Sequence, residues 1–512
     1  MGDANLYALF RSRFPGDATP FLETDDGVRL RYSEVDERSG RILALLEALG
    51  VRKGDRVIAQ VDKSPQAVLL YLACLRRGAI YIPLNTAYTP AEVRYFLADA
   101  EPALFVVRPE TVEVYGAMAK ALGVPHVLGL GADGEGTLTE RSGEMGANPG
   151  IEPCAGDDLA AILYTSGTTG RSKGAMLSHR NLAANALTLH RLWGWRAGDV
   201  LLHALPIYHV HGLFVALHCA LLGGSPVLFL PRFDAGAVLR LLPRATVFMG
   251  VPTFYTRLLE EPGLDRAVCR NMRLFIAGSA PLLADTFAAF AQRTGHRILE
   301  RYGMTEAGMI TSNPYDGERV PGTVGFPLPD VEARVVDEAG NEVARGRPGV
   351  LEIRGPNVFG GYWRMPDKTA AEFRGDGFFV TGDVAVMAAD GRVSIVGRAK
   401  DLIISGGFNV YPKEIEDRID AVPGVKESAV IGLPHPDFGE AVAAVVVGDD
   451  SAPLTEATIL AHLSGELARF KQPKRVFFVD ELPRNTMGKV QKNELRDRYA
   501  GTFAERGPAA AR

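Results

Sequence analysis

The chain reads as an α/β protein: a large N-terminal α/β domain with a β-rich closing portion, then a small C-terminal strand-and-helix domain. Three observations predict this. At 512 residues the chain exceeds what one hydrophobic core supports, so at least two domains are expected. Short apolar runs alternate with helical patterns through most of its length. After about Pro329 the pattern changes to short strands with Gly-rich turns.

Taken in order, Leu159–Tyr164 (LAAILY) is a buried strand that enters a Gly/Thr/Ser loop, with a second short strand at Ala175–Leu177. Ser178 is placed to cap the next helix, whose Leu182, Ala186, Leu189 and Trp193 recur at helical spacing. Val247–Val251 repeats the strand, and Pro252 opens a helix at the first helical position, where its missing N–H costs nothing. Leu274–Ala277 and a helix after Pro281 repeat the unit again. Val331–Val336, Gly349–Ile353 and Arg392–Val396 form the β-rich portion. Beyond Arg398 the spacing predicts helices at Pro412–Ala421 and Thr455–Ala468. Strands are expected at Glu427–Gly432, Ala441–Val447 and Val476–Val479. The domains are therefore drawn at 1–397 and 402–512, with a junction at 398–401. Past Tyr499 periodicity is lost, and the tail is expected to fray.

Composition excludes several classes. A net charge of −5 gives no nucleic-acid footprint and no basic membrane face. Cys74, Cys154, Cys219 and Cys269 form no CxxC pair, which argues against a zinc site or a disulfide framework and for a reducing, cytoplasmic setting. The acidic N-terminus is neither a secretory signal nor a transit peptide, and Leu6 stands where a myristoylation motif needs Ser or Thr. No apolar run reaches the length of a membrane span.

The chemistry begins at Thr165-Ser166-Gly167-Thr168-Thr169-Gly170-Arg171-Ser172-Lys173-Gly174. Glycines let backbone N–H groups converge on an anion, hydroxyls add donors, and Lys173 adds a cation. The stretch suits a polyphosphate, although Lys173 lacks the glycine that should directly precede it in a Walker A loop. An ordinary Gly/Ser loop would be a flexible surface connection; hydroxyls at this density after a buried strand argue against that.

YTSGTTGRSKG resembles the signature loop of the adenylate-forming superfamily, which includes acyl-CoA synthetases, firefly-type luciferases and peptide-synthetase adenylation domains. Further motifs stand in that family's order: Arg301-Tyr302-Gly303-Met304-Thr305-Glu306, Thr381-Gly382-Asp383, Gly397-Arg398-Ala399-Lys400-Asp401, and Pro483-Arg484-Asn485-Thr486-Met487-Gly488-Lys489. The resemblance runs from about Leu6 to Tyr499. It implies the adenylate-forming enzyme fold, in which the small C-terminal α+β domain is mobile, and ATP, Mg²⁺ and coenzyme A as co-reactants.

In that family a carboxylate attacks the α-phosphorus of ATP and pyrophosphate leaves. Both reactants are anions, so the site must neutralise charge and hold them in line. The resemblance makes Glu306 the magnesium ligand, a hard carboxylate for a hard ion, and sets Thr305 against the α-phosphate. Asp383 and Arg398 become ribose contacts and Tyr302 an adenine contact, with Gly278, Ser279, Ala280 and Pro281 in the loop beside it. Lys489 becomes the residue that reaches the substrate carboxylate and α-phosphate and stabilises charge developing there. Lys400 falls at the hinge. Rotation there would bring in Ser405–Asn409, whose Gly406, Gly407 and Phe408 line the thiol tunnel. A protein lysine acetyltransferase acting on Lys489 is one implied partner, because acetylation removes its charge.

The acid is read from Arg257, on the helix VPTFYTRLLEE, and from Arg301, directly before Tyr302. Alone, Arg257 reads as a snorkelling surface arginine. A cation buried at the acyl end needs an anion, which a fatty acid lacks and a diacid supplies. The stretches LPIYHVHGLFV, GVPTFYTRLL, GSAPLLADT, ERYGMTE and GGFNVYPKEIE resemble malonyl-CoA synthetases. In that subfamily the positions of Arg257, Ser279 and Arg301 hold the distal carboxylate, His209 gates the pocket, and Val210 and Met309 shape the space around the α-carbon. Malonate is the expected acid and methylmalonate a second one; succinate or acetate is the alternative. A non-catalytic nucleotide-binding protein is the reading from another class, and it should have lost Glu306, Lys489 or the phosphate loop.

Overall fold

The structure is a computed structural model and describes residues 3–16, 18–165, 172–405, 408–436, 438–449, 453–464, 466–467, 469–485 and 488–503. Its contacts divide the chain into two compact units, one of residues 1–332 with 354–379, the other of 333–353 with 380–512.

The first unit carries two sheets. A six-stranded sheet runs in the order His126–Gly129, Leu104–Val107, Arg56–Gln60, Ile80–Pro83, Leu159–Thr165, Lys173–Ser178. Its pairs are parallel except the last, which is antiparallel. A nine-stranded sheet places Leu299–Met304, Leu274–Ala277, Val247–Gly250, Leu201–His203 and Val227–Phe229 side by side. These central pairs are parallel, and both edges finish in antiparallel strands. Central strands such as Leu274–Ala277 are buried along their whole length, as parallel strands covered on both faces must be.

The helix Pro65–Arg77 shows how the sequence sets this up. Ser64 caps it, accepting from Ala67 N, Pro65 opens it, and Gly78 ends it in the left-handed conformation. Its sequence is apolar nearly all round, so it is buried rather than amphipathic. Ser178 caps His179–Leu192 as expected, accepting from Asn181 N.

In the second unit a four-stranded sheet runs Glu332–Val336, Pro348–Arg354, Phe379–Met387, Val393–Arg398. A five-stranded sheet follows, built on the long hairpin Val425–His435 and Gly439–Gly448. The first of these is the β-rich portion expected to close the large domain; its contacts group it with the C-terminal residues instead. The helix Pro412–Asp420 packs on the strand Val393–Arg398, which accounts for the grouping. Of the helix expected at Thr455–Ala468 the structure describes Glu456–Ser464; Gly465 and Ala468 lie outside the described residues.

Candidate active site

In the first unit the antiparallel strands Leu159–Thr165 and Lys173–Ser178 pair Thr165 with Lys173, so both ends of the phosphate loop are fixed. Ser166, Gly167, Thr168, Thr169 and Gly170 lie outside the described residues. Lys173 is nearly buried; its Nζ is 3.1 Å from Glu372 Oε1 and 4.2 Å from the centre of the Tyr362 ring. Lys368 Nζ also reaches Glu372, at 2.8 Å.

The Tyr362 hydroxyl lies 3.0 Å from Glu306 Oε1 and 2.6 Å from Glu372 Oε2. A phenol has one hydrogen, so it serves one carboxylate at a time. Burial, and then the two flanking carboxylates, keep that hydroxyl protonated far beyond the ordinary phenol range. Burial alone would raise the Glu372 carboxyl, but hydrogen bonds from Lys368, Tyr362 and Lys173 hold it below its usual value.

Glu306 itself is buried, in the turn that joins Leu299–Met304 to Gly308–Ser312. Thr305 shares that turn, and Tyr302, Gly303 and Met304 are half-buried at the end of the incoming strand. Sequence reasoning missed Tyr362, Lys368 and Glu372. They sit in GYWRMPDKTAAE, where nothing but the fold brings them to Glu306 and Lys173.

The acyl end is built on the same hairpin. Arg301 is 2% exposed, and its Nε and Nη2 have no hydrogen-bond partner among the described residues. Burial pushes its guanidinium down to about 9, against a smaller opposing effect of Tyr255. It remains a cation at neutral pH. A Cβ on Gly278 would lie 2.4 Å from Arg301 Nη1, so glycine is what admits the guanidinium there. Ser279 follows with φ of +73°, a strained conformation for a residue with a side chain. Its Oγ is 3.4 Å from His211 Nδ1. Ala280 is half-buried and Pro281 exposed.

His209 is half-buried, and its Nδ1 accepts from His211 N at 3.3 Å. His211 is buried and held neutral, first by burial and then by the charge of Arg301. Residues His211–Leu217 form a π-helix, which the sequence did not announce. Met309 is fixed by Asn185, which bonds its N at 3.1 Å and its O at 2.8 Å. Val210 is buried beside a small cavity that Asn185, Phe214 and Asn357 also line.

Arg257 behaves differently from Arg301. It is exposed on the helix Pro252–Glu260, with no hydrogen bond or ion pair among the described residues. Of the two arginines, Arg301 is buried and Arg257 is exposed.

In the second unit Asp383 is buried, and Arg398 Nε meets its Oδ1 at 2.9 Å across paired strands. Thr381 Oγ1 accepts from Asp383 N at 3.1 Å and donates to Leu351 O at 2.8 Å. Lys400 is exposed in the short turn Ala399–Asp401, and Arg496 pairs with Asp401 at 2.6 Å. Phe408 is exposed and stacks on Phe470 at 4.6 Å; Gly406 and Gly407 lie outside the described residues. Lys489 is exposed in a tight turn in which its N donates to Asn485 Oδ1 at 3.0 Å. Its carbonyl accepts from Asn485 N at 2.9 Å, and Gly488, with φ of +74°, makes the turn. Arg484–Glu427 and Lys492–Glu416 ion pairs hold the two flanks.

A lysine-flanked phosphate loop, a buried carboxylate in a YGMTE turn and an Asp–Arg strand pair are the parts of a nucleotide-dependent acid-activating enzyme. The chain belongs to the AMP-binding enzyme family: that family's model matches residues 11–363, and the AMP-binding enzyme C-terminal domain matches 414–489. It has the adenylate-forming enzyme fold and is an acyl-CoA synthetase. It is similar to a mitochondrial malonate–CoA ligase of Mus musculus, 38% identical over 91% of this chain and 86% of that one. A feruloyl-CoA synthase of an Amycolatopsis species is 36% identical over 92% of this chain and 94% of its own length. Among solved structures, ATP-bound MatB from Rhodopseudomonas palustris is 56% identical with a TM-score of 0.96, covering 98% of this chain and 100% of that one.

Proposed function

We propose that the chain is an ATP-dependent malonate:CoA ligase that forms malonyl-CoA, AMP and pyrophosphate through malonyl adenylate. Similarity to malonate–CoA ligases and to MatB, at 56% identity against 36% for the feruloyl-CoA synthase, supports this reading. The structural observation that carries malonate is Arg301: a buried cation whose Nε and Nη2 have no hydrogen-bond partner among the described residues. A second carboxylate on the substrate completes it; acetate leaves it bare. A site with a buried unpaired group can reject the analogue lacking its partner by ~10⁴. Ser279 and His211 adjoin this end, and Arg257 would contribute only from solvent.

One malonate oxygen attacks the α-phosphorus, the bond from that phosphorus to the bridging oxygen breaks, and pyrophosphate leaves with the electron pair. Lys173 meets the phosphates after giving up Glu372. Lys489 neutralises the charge that develops between the carboxylate and the α-phosphate, while Asp383 and Arg398 hold the ribose. Glu306 would hold Mg²⁺: its buried carboxylate is a hard oxygen donor, and the Tyr362 hydroxyl 3.0 Å away can orient it. Mg²⁺ bound by one or two carboxylates and phosphate oxygens supplies charge neutralisation. In the second half-reaction the CoA thiolate attacks the acyl carbon and AMP leaves. Rotation at Lys400 exchanges Lys489 for the loop of Gly406, Gly407 and Phe408.

Methylmalonate is a second substrate on this reading, its methyl group facing Val210 and Met309. Acetylation of Lys489 would silence the first half-reaction. A cytoplasmic setting agrees with four buried free cysteines, and no helix among the described residues is long and apolar enough to cross a membrane. The test is pyrophosphate release with ATP, Mg²⁺ and CoA, comparing malonate, methylmalonate, succinate and acetate. Malonate should give the highest kcat/KM; a preference for acetate would remove the substrate assignment and leave the family chemistry.

A further inference from the structure

Lys63 is a half-buried cation of the first unit. It follows the strand Arg56–Gln60 of the six-stranded sheet and reaches the end of Leu201–His203 in the nine-stranded one. Its Nζ lies 2.8 Å from His203 Nδ1, 2.9 Å from His203 O and 4.3 Å from the centre of the Phe229 ring. No ion pair joins it to a carboxylate among the described residues. Burial accordingly holds its ammonium well below the ordinary lysine range.

The hydrogens can be assigned. An ammonium only donates, so His203 Nδ1 accepts. Nε2 then carries the hydrogen of the neutral ring and donates to Gly212 O at 3.0 Å. Gly212 is tightly seated, because a Cβ there would lie 2.0 Å from Pro206 O. Pro206 and Gly212 bracket the turn that presents His209 and His211, and His211 faces Ser279.

We infer that Lys63 is a positioning residue for the acid-binding end of the site: by clamping both the ring and the carbonyl of His203, it fixes the Gly212 carbonyl and the turn carrying His209 and His211. A methionine would fill much of the same space but would leave His203 Nδ1 and His203 O without their donor. What ties the clamp to the acid is its route: it runs through His203 to Gly212 O, at the end of the turn that carries His209 and His211. This inference rests on the malonate reading for the identity of the acid, not for its direction.

The experiment compares wild type with Lys63→Met and His203→Asn by pyrophosphate release, reading KM for malonate, KM for ATP and Tm. Asparagine keeps an acceptor near Lys63 but is too short to reach Gly212 O. Both variants should raise the malonate KM about tenfold or more, the effect of losing one charge-assisted hydrogen bond. The ATP KM should stay within about twofold, even if the unsatisfied His203 acceptors lower the Lys63→Met Tm slightly. An unchanged malonate KM in Lys63→Met overturns the inference, as does a parallel worsening of both KM values with a fall in Tm. If wild type prefers another acid, the functional reading fails by itself, and the same comparison is judged on the KM for that acid.

Discussion

On the nucleotide side of the first unit the described charges have protein partners: Lys173 and Lys368 share Glu372, and the one hydroxyl of Tyr362 lies within reach of both Glu372 and Glu306. On the acyl side, among the described residues, Arg301 is buried with two unpartnered nitrogens, and Lys63 meets an imidazole, a carbonyl and a ring. ATP brings its own metal and several charges, so a compensated site can exchange partners with it. A small dianion brings only two carboxylates, and a cation left unpaired by the protein converts one of them into selectivity. Changes on the nucleotide side should therefore slow every acid alike. Changes on the acyl side should alter which acid is chosen.

The largest effect that sharpens this contrast is Lys489→Ala. Its adenylation rate should fall on the order of 10³-fold for malonate and methylmalonate alike. Thioester formation from supplied malonyl adenylate should fall far less, as stopped-flow assays of the two half-reactions would show. Glu306→Gln should follow, with kcat down about 10²-fold and a higher Mg²⁺ requirement, again without a change in acid preference. A shift in preference would break the contrast.

Acid should unfold the molecule through the neutral histidines of its interior. Burial holds His179 down to about 4 and His218 down to about 3, from an ordinary 6.5. Between pH 6.5 and those values the unfolded chain binds protons that the folded one refuses. Stability therefore falls as pH drops through that window, by up to about 1.4 kcal/mol per pH unit for each histidine. Tm measured from pH 7.5 to 5 should decline most steeply below about 6; a flat profile would mean that these rings take protons when folded. The smallest effect belongs to Glu372→Gln. It frees Lys173 for phosphate and should lower the ATP KM only about two- to threefold, with the malonate KM unchanged.

Much of this was legible in the sequence because it depends on local pattern. Leu274–Ala277 is a buried strand at the expected residues, and Ser178 and Pro252 start helices where capping chemistry puts them. Arg301 could be read as a buried cation because it abuts YGMTE. Arg257 could not be placed from its spacing, since a helical arginine serves a pocket or solvent equally well, and here it faces solvent. Glu372, Tyr362 and Lys63 were not legible at all. The contacts that matter, Lys173 with Glu372, Tyr362 with Glu306 and Lys63 with His203, join residues distant in sequence, and nothing local distinguishes these side chains from surface ones. The grouping of the β-rich strands with the C-terminal residues was hidden for a related reason: it depends on how the helix Pro412–Asp420 packs, and no linker marks it.

The central claim is that the unpaired Arg301 selects a diacid. It is tested most directly by the ratio of kcat/KM for malonate to that for acetate, in wild type and in Arg301→Met. The account predicts a ratio of at least about 10³ in wild type that collapses by about 10²-fold or more in the variant, through loss of malonate and not gain of instability. A ratio that survives the substitution would contradict it.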